Sequence, residues 1–384
     1  MNIALVHRRL DLKGGTEKDL YRTAEGLRDL GHEIHLFCSE YGIAAPSGTF
    51  QHKISTLPFG RTARLWKFAF QSRKVLRQHR HDVVFSFGRV LGADVLRSGG
   101  GSHLGFLERL GREGGAIRRL WQNLSIYHRS VLAIEKLQMR PGRCKRIVAV
   151  SEEVKRDLMR HYAVEREKII VLYNGVDLER FKPRRKESYR RALRERWRIP
   201  LDAKVVLFVG SGFRRKGLDR MLPLWCMQEF KDTYLIIAGE DARMRWYQSQ
   251  AGKSGGRRII FAGHQRDIEN FYAAADVLAL PSVQEAFGNV VLEALASGLQ
   301  VLVSAETGAG EVLRGGLAEG VLRRSDDLYE LKQRLANLLA RSGDASVIAE
   351  ARRLSESYSW REHFRKLEAV LIEVKDSTRS EERA

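Results

Sequence analysis

Glu285 and Glu293, with seven residues between them, lie in Pro281-Ser-Val-Gln-Glu-Ala-Phe-Gly-Asn-Val-Val-Leu-Glu-Ala-Leu-Ala-Ser-Gly298. The apolar run Val277–Leu280 ahead of them reads as a strand. From Gly288 onward the spacing of Val291, Leu292 and Leu295 is helical, and Gly298 suits a helix stop. Glu285 then falls in the loop before the helix and Glu293 one to two turns inside it. The N–H groups of Phe287, Gly288 and Asn289 at the helix start make an anion site, and the dipole reinforces it. A carboxylate on either side of a bound diphosphate can grip hydroxyls at both ends, which is the shape of sugar, pyrophosphate and ribose. A solvated helix with two ordinary Glu residues is the bland alternative. The order strand, loop, Gly, helix argues against it.

Gly210-Ser-Gly-Phe-Arg-Arg-Lys-Gly217 points at the same ligand. It follows the run Val205–Val209 and offers unhindered backbone with two or three cations, ahead of a helix through Leu218, Met221 and Leu222. Arg215 and Lys216 can neutralise a departing diphosphate without a metal. The Gly-Lys-Ser/Thr ending of a Walker A loop is missing. Nearer the start, Lys13-Gly-Gly-Thr-Glu17 lacks G-x-G-x-x-G, so no dinucleotide fingerprint is present. Gly14 and Gly15 instead allow a substrate to approach backbone, or simply make a tight turn.

The elements that must position these residues are short Val/Ile-rich runs, among them Ile3–Val6, Ile34–Cys38, Val83–Phe87, Ile147–Val150 and Val301–Val303. Most end in Gly, Ser, Asn or Asp. Helically spaced stretches such as Asp19–Leu30, Glu152–Arg160 and Leu328–Leu339 separate them. That alternation is α/β, with parallel sheets covered on both faces. It restarts at the second Gly-rich turn, so two doubly wound domains are expected to meet near residues 167–175. Residues 182–198 carry nine Lys/Arg against two Glu and read as a connector entering a surface helix. Lys375 to Ala384 reads as a frayed polar tail. In such sheets ligands sit outside the carboxyl ends of strands, at topological switch points, and two facing domains put the site in the cleft between them.

Glu285-x7-Glu293, Gly210 to Gly217, Asn174-Gly-Val-Asp177 and Gly14-Gly15, in this order, resemble the retaining glycosyltransferases of family 4. The Arg-Arg-Lys-Gly-Leu-Asp-Arg stretch and the basic first half look most like the lipopolysaccharide-core glucosyltransferase branch. The resemblance implies the GT-B fold. Residues 1–166 would be an acceptor-binding Rossmann-like domain and 167–357 a donor-binding one, with 358–384 a helix crossing back plus the tail. It implies that Glu285 binds donor-sugar hydroxyls and Glu293 ribose hydroxyls. Arg215 and Lys216 would hold the diphosphate, assisted by Gly210 and by backbone at Phe287, Gly288, Asn289 and Val290, and Gly14 and Gly15 would approach from the first domain. Many relatives carry an Arg where this chain has Ser211, so Arg214 or Arg215 must supply that charge. His103 resembles the family's histidine near the reacting sugar, and Asp94 lies near a functional Asp of the core branch. The implied reaction moves a hexose, glucose from UDP-glucose, to an inner-core heptose with retention. No metal and no cofactor beyond the nucleotide-sugar is expected.

Composition bounds the partners. The chain has 384 residues and 67 Lys+Arg against 47 Asp+Glu, a formal charge of +20. Three scattered cysteines make neither a disulfide framework nor a metal cluster. No signal peptide or apolar span is read, so a cytoplasmic protein, peripheral on the inner membrane face, is expected. Residues 61–81 carry seven Lys/Arg and no acid among Leu65, Trp66, Phe68 and Phe70. Residues 105–146 carry ten Lys/Arg against three Glu, among Phe106, Leu110, Trp121, Leu124 and Tyr127. Basic residues beside aromatics suit an anionic membrane surface and a glycolipid acceptor, or else a core with a solvated cationic face. A transferase with another donor or acceptor is one alternative. A nucleic-acid-binding protein is another, disfavoured because no zinc finger, RNP sequence or basic-aromatic strand is present, and no specific nucleic acid is expected.

Overall fold

The computed structural model describes residues 1–12, 14–109, 125–183 and 186–383. Lys13, and Leu110, Trp121 and Leu124 of the basic aromatic segment, lie outside the described residues. The chain divides into two compact units, Met1–Tyr173 with His363–Ala384, and Asn174–Glu362.

The first unit holds β1 (Asn2–Val6), β2 (Arg9–Leu10), β3 (Glu33–Cys38), β4 (Glu40–Tyr41), β5 (Phe50–Lys53), β6 (Val83–Ser86), β7 (Val95–Ser98), β8 (Arg146–Ala149) and β9 (Ile169–Val171). Seven of these form one parallel sheet in the order β5-β3-β1-β6-β7-β8-β9, with β2 and β4 paired beside it. The central strands are buried on both faces, which is why they read as unbroken apolar runs. Strand β5, Phe-Gln-His-Lys, is an exposed edge with no such run. The helix Trp360–Arg383 sends Leu367, Val370, Leu371 and Val374 into the same core as β1, β3 and the helix Gly15–Asp29. It stays helical to Arg383, so the segment after Lys375 is not a frayed tail. Its hydroxyls at Ser377 and Thr378 donate back to the Val374 carbonyl.

The second unit holds β10 (Lys204–Val209), β11 (Thr233–Ala238), β12 (Ile259–Gly263), β13 (Val277–Leu280), β14 (Gln300–Ser304) and β15 (Val321–Leu322), parallel in the order β12-β11-β10-β13-β14-β15. Both sheets are Rossmann-like and doubly wound: from β1 and from β10 the chain first adds strands on one side, then crosses to the other. The reversal falls between β1 and β6 in one unit and between β10 and β13 in the other. The helix expected after Gly217 is one turn, Leu218–Met221, that continues as a 3-10 segment, Leu222–Cys226. Pro223 supplies no N–H to prolong it.

The basic stretch 182–198 is only partly a surface. Arg194 is fully buried and donates to the carbonyls of Pro200, Leu201, Ala203 and Ala274. It also donates to Asp276 Oδ2 at 3.0 Å. The same carboxylate oxygen accepts the Val205 N–H at 2.8 Å and so ties the connector helix Lys186–Arg196 to the starts of β10 and β13. A buried guanidinium is tolerable only with this many acceptors.

A second polar cluster lies along the β5 edge. His35 Nδ1 and His52 Nε2 are 2.8 Å apart, and the His35, His52, His79 and His81 rings pack on one another and on Phe37. Burial first, then His35, His79 and His52, push the His81 imidazole down to about 4. The unfolded chain therefore binds more protons than the native one between pH 6.5 and 4. Stability is full above that window and falls as pH falls through it. His81→Phe should reduce the acid-side slope of stability against pH by up to about one proton, measured by urea unfolding at stepped pH; an unchanged slope refutes this. Arg194→Met should cost about 3–5 kcal/mol, read as a drop in urea midpoint. A loss under about 1 kcal/mol would show that the buried guanidinium does not hold the connector.

Candidate active site

The crevice outside the carboxyl ends of β10 and β13 is where the strand order reverses, and both motifs of the second unit empty into it. The loop after β10 is held by the Phe213 N–H donating to Asp241 Oδ2 at 2.8 Å. The loop after β13 is joined to it by the Val283 N–H donating to the Arg215 carbonyl at 2.8 Å. Gly217 makes the approach possible. Its φ is +84°, and a Cβ there would stand 2.0 Å from the Pro281 carbonyl oxygen.

The two loops bring three charges to one point. Lys216 Nζ lies 2.8 Å and an Arg215 terminal nitrogen 2.9 Å from the same oxygen of Glu285, Oε2. Arg215 also donates to the Gln284 carbonyl at 2.8 Å. Lys216 is buried, whereas Arg215 is half exposed. Arg214 is exposed and stands outside this triad. Burial alone would raise the Glu285 carboxyl, but the charges of Lys216 and then Arg215, with their hydrogen bonds, hold it below the usual range. Glu285 is thus an anion sitting on two cations, and an anionic ligand can compete for them.

Glu285 is fixed by its backbone. Its N–H donates to the Glu306 carbonyl at 3.0 Å and its carbonyl accepts from Gly308 at 2.9 Å, so residues 285–287 run as an extra extended segment beside 306–309. Gly288, in the left-handed region, caps the helix Asn289–Ala296 without a side-chain cap. Phe287 is buried, and Asn289 Oδ1 accepts from Asn174 Nδ2 at 2.8 Å. Asn174 opens Asn174-Gly-Val-Asp177. There Gly175 packs where a Cβ would be 2.6 Å from the Trp360 Cα, and Asp177 accepts the Glu179 and Arg180 N–H groups. Glu293 sits in the second turn of the helix. Its Oε2 accepts the hydroxyl of fully buried Tyr272 at 2.8 Å, while the Val290 carbonyl is a longer second acceptor at 3.4 Å. Burial, then the Glu293 charge, drive the phenol well above its ordinary range, so Tyr272 remains a donor.

In the first unit, Gly14 caps and Gly15 opens the helix Gly15–Asp29. The Glu17 carboxylate lies against Gly14, while nothing crowds Gly15. Glu17 reaches His7 Nε2 at 3.6 Å, and that contact first of all keeps its carboxyl ionised below the usual range. His103 begins the helical residues 103–109 after β7. Its Nε2 is 2.9 Å from His128 Nδ1, and its N–H donates to Glu135 Oε2 at 2.9 Å. Burial, then Arg89, His128 and Arg61, push the imidazole down to about 4, so it is neutral near pH 7.

Asp94 is not brought to His103. It precedes β7, at the opposite end of that strand, and its carboxylate accepts the Val84 N–H at 2.8 Å. Burial pushes it upward, and that hydrogen bond only partly offsets the rise. The geometry gives Asp94 the task of fastening β6 to β7, away from the carboxyl ends where ligands bind.

Sequence reasoning missed three residues that hold this machinery. Tyr272 holds Glu293, Glu135 takes the His103 N–H, and Asp157 takes the Ser102 N–H beside it. A tyrosine amid the alanines of a buried helix needs a partner for its hydroxyl, and an acid on an apolar helix face needs donors. Those were the available signals. Among the described residues no group of three His, Cys, Asp or Glu side chains is placed to hold a metal ion.

Residues 13–180 match the family described as Glycosyltransferase Family 4, and residues 189–355 match Glycosyl transferases group 1. The chain is 26% identical over 366 residues to the Lipopolysaccharide glucosyltransferase WaaG of Escherichia coli K12, covering 85% of this chain and 95% of that protein. It is 30% identical over 321 residues to a probable transglycosylase of Burkholderia thailandensis, covering 82% of this chain and 80% of that one. The crystal structure of WaaG, a glycosyltransferase involved in lipopolysaccharide biosynthesis, superposes with a TM-score of 0.79 at 24% identity, over 96% of this chain and 99% of that one.

Tyr272→Phe removes one hydroxyl and leaves Glu293 without its buried donor. The expected result is a loss of about 1 kcal/mol of unfolding free energy, the worth of one buried hydrogen bond, with an unchanged far-ultraviolet spectrum. An unchanged urea midpoint would show that Glu293 needs no support from Tyr272.

Proposed function

The chain belongs to glycosyltransferase family 4, and from that premise we propose that it moves glucose from UDP-glucose to a heptose of a lipopolysaccharide inner core, with retention at the anomeric carbon. The observation that carries this reading is the meeting of Lys216, Arg215 and Glu285 at the strand-order reversal of the second unit. The name of the Escherichia coli relative supports the choice of sugar and of lipopolysaccharide as acceptor.

In this reading the diphosphate displaces Glu285 from the two cations. Lys216 and Arg215 then neutralise the charge that grows on the leaving group as the anomeric C–O bond breaks, in a site already organised to hold an anion. Glu285, released, accepts hydroxyls of the hexose. Glu293, oriented by Tyr272, accepts those of the ribose, and backbone from Phe287 to Val290 lies along the diphosphate. The acceptor hydroxyl attacks from the face that the diphosphate leaves, its proton passing to a diphosphate oxygen. No covalent glycosyl–Glu285 intermediate is invoked. From the first unit we assign Gly14, Gly15 and His103 to substrate binding, with neutral His103 hydrogen-bonding a sugar hydroxyl.

The lipid-borne acceptor is assigned to the cytoplasmic membrane face on the strength of the helix Arg61–Leu76. Phe68 is core, but Phe59 and Phe70 are exposed, and Trp66 stacks on Phe70 at 5.5 Å beside exposed Lys67 and Lys74. Exposed aromatics among unopposed cations suit an anionic lipid surface. Among the described residues no helix is long and apolar enough to cross a membrane.

UDP-glucose at a hundredfold over its Kd should stabilise the chain by about 2.7 kcal/mol, seen as a higher Tm, while an oligonucleotide should not. Lys216→Ala should cut transfer by about 10²–10³ with the fold retained. A folded variant turning over at the parent rate refutes the assignment.

A further inference from the structure

A cavity in the first unit takes no part in the chemistry proposed above. It holds about 130 Å³ and lies among the helices Arg61–Leu76 and Ile126–Met139, the turn between β6 and β7, and residues 143–144. Ala93 comes just before β7 and Cys144 just before β8, so the cavity stands at the amino ends of those strands. The reacting ligands of such sheets are bound at the other end.

Its walls are apolar. Val90, Ala93, Leu96 and Cys144 are buried there, and Leu91 and Leu137 are half-buried. Gln138, beside Leu137, donates to the Gly88 and Val90 carbonyls at 3.0 and 2.9 Å and so fixes the turn that makes one wall. The more exposed lining residues, Phe70, Arg73, Gly92 and Arg143, make the mouth. Gly92 has a φ of +90°, and a Cβ there would stand 3.2 Å from Arg73 Cγ, so the turn holds the arginine stem at the mouth. Neither the Arg73 nor the Arg143 guanidinium has a carboxylate or hydrogen-bond partner among the described residues. Phe70 stacks on Trp66 at 5.5 Å, so apolar surface continues outward from the mouth.

We propose that this cavity binds one acyl chain beneath an anionic head, with the head held by Arg73 and Arg143. The site is separate from sugar transfer and does not depend on that reading. An apolar cavity of about 150 Å³ takes up benzene, so one of this size admits about six carbon atoms. A longer chain continues over Phe70 and Trp66, which a compact ring would leave uncovered. The head then meets two guanidinium groups that have no acid of their own, and a carboxylate or a phosphate suits their planar forks. A void left by imperfect packing would account for the space alone. It gives no reason for two unpaired cations to share its mouth. An occupant would also bridge the helices Arg61–Leu76 and Ile126–Met139, so binding stabilises the first unit.

The test uses the full chain with Cys226→Ser, which removes the exposed cysteine. Of the two that remain, Cys38 is fully buried in the core and Cys144 lines the cavity. Burial pushes the Cys144 thiol up, so methyl methanethiosulfonate, a small uncharged reagent, is applied at about pH 8.5 and its addition is followed by peptide mass. Octanoate at about ten times its Kd should slow addition to Cys144 about tenfold. Octanol should bind about tenfold more weakly, and octyltrimethylammonium should give no protection. From butyrate to octanoate each methylene should tighten binding about three- to fourfold. Arg73→Gln and Arg143→Gln should each weaken octanoate about three- to fivefold, without lowering the Tm of the ligand-free chain. Equal protection by octanol, a flat chain-length series, or unchanged binding in both variants overturns the site. Vesicles separate the two sources of such a ligand. Protection by phosphatidylglycerol but not by phosphatidylcholine assigns chain and head to a membrane lipid, and protection by octanoate alone assigns them to a free fatty acid. Equal protection by both kinds of vesicle overturns the anionic head.

Discussion

A carboxylate at the end of a parallel sheet stays ionised in a largely buried place only if cations reach it. Glu285 meets that condition through Lys216 and Arg215, and much of the second unit arranges their meeting. The strand reversal between β10 and β13 opens the space. Asp241 holds one loop, the Val283 N–H joins it to the other, and the extended segment 285–287 pins the acid beside 306–309. The resulting triad is stable without a ligand yet is exchangeable. Lys216 is already desolvated and both cations are oriented on one oxygen, so an incoming oxyanion would replace one carboxylate by another acceptor instead of assembling a site from free chains.

The first unit uses the same elements with the opposite sign. At the start of helical residues 103–109, the N–H groups of Ser102 and His103 are taken by the buried acids Asp157 and Glu135. That helix start is therefore filled from within the protein, and selectivity for charge passes to side chains. Glu135 orients His103 through its backbone and Arg89 through its guanidinium, so a single substitution there perturbs both. Acidic residues act here as positioning groups. The cations they leave over are the ones available to a ligand.

The α/β alternation was legible because doubly buried strands such as β1, β10 and β13 cannot be anything but apolar, and their runs coincide with the sheet cores. Edge strand β5 was not, since most of what it presents faces water and its residues Phe-Gln-His-Lys carry no apolar period. Pro223 shortened a helix whose apolar spacing alone looked continuous. Loop motifs were legible as types and order, which is how Glu285, Lys216 and Arg215 were picked out. Their mutual distances were not, because those depend on contacts sixty to seventy residues apart along the chain. Asp94 shows the converse hazard. It is near His103 in sequence, but a strand lies between them, and the strand's length separates the two groups.

The charge of +20 is not one property. Arg194 spends its charge inside the second unit, where five carbonyl contacts and Asp276 absorb it and water cannot. Arg97 does the same in the first unit against Asp19 at 2.9 Å. Such groups shape the fold and contribute little field outside it. Lys216 and Arg215 are balanced by Glu285 until something displaces it. What remains as external positive field comes from residues such as Lys67 and Lys74, exposed on a helix without an acid of its own. A nucleic-acid surface needs cations spaced along a backbone track, with aromatic or polar groups reaching bases. Here the outward cations share their face with Phe70 and Trp66, whose apolar rings gain by leaving water. In the membrane reading proposed above, that combination would meet a surface anionic at its boundary and apolar just beneath, as a lipid headgroup layer is.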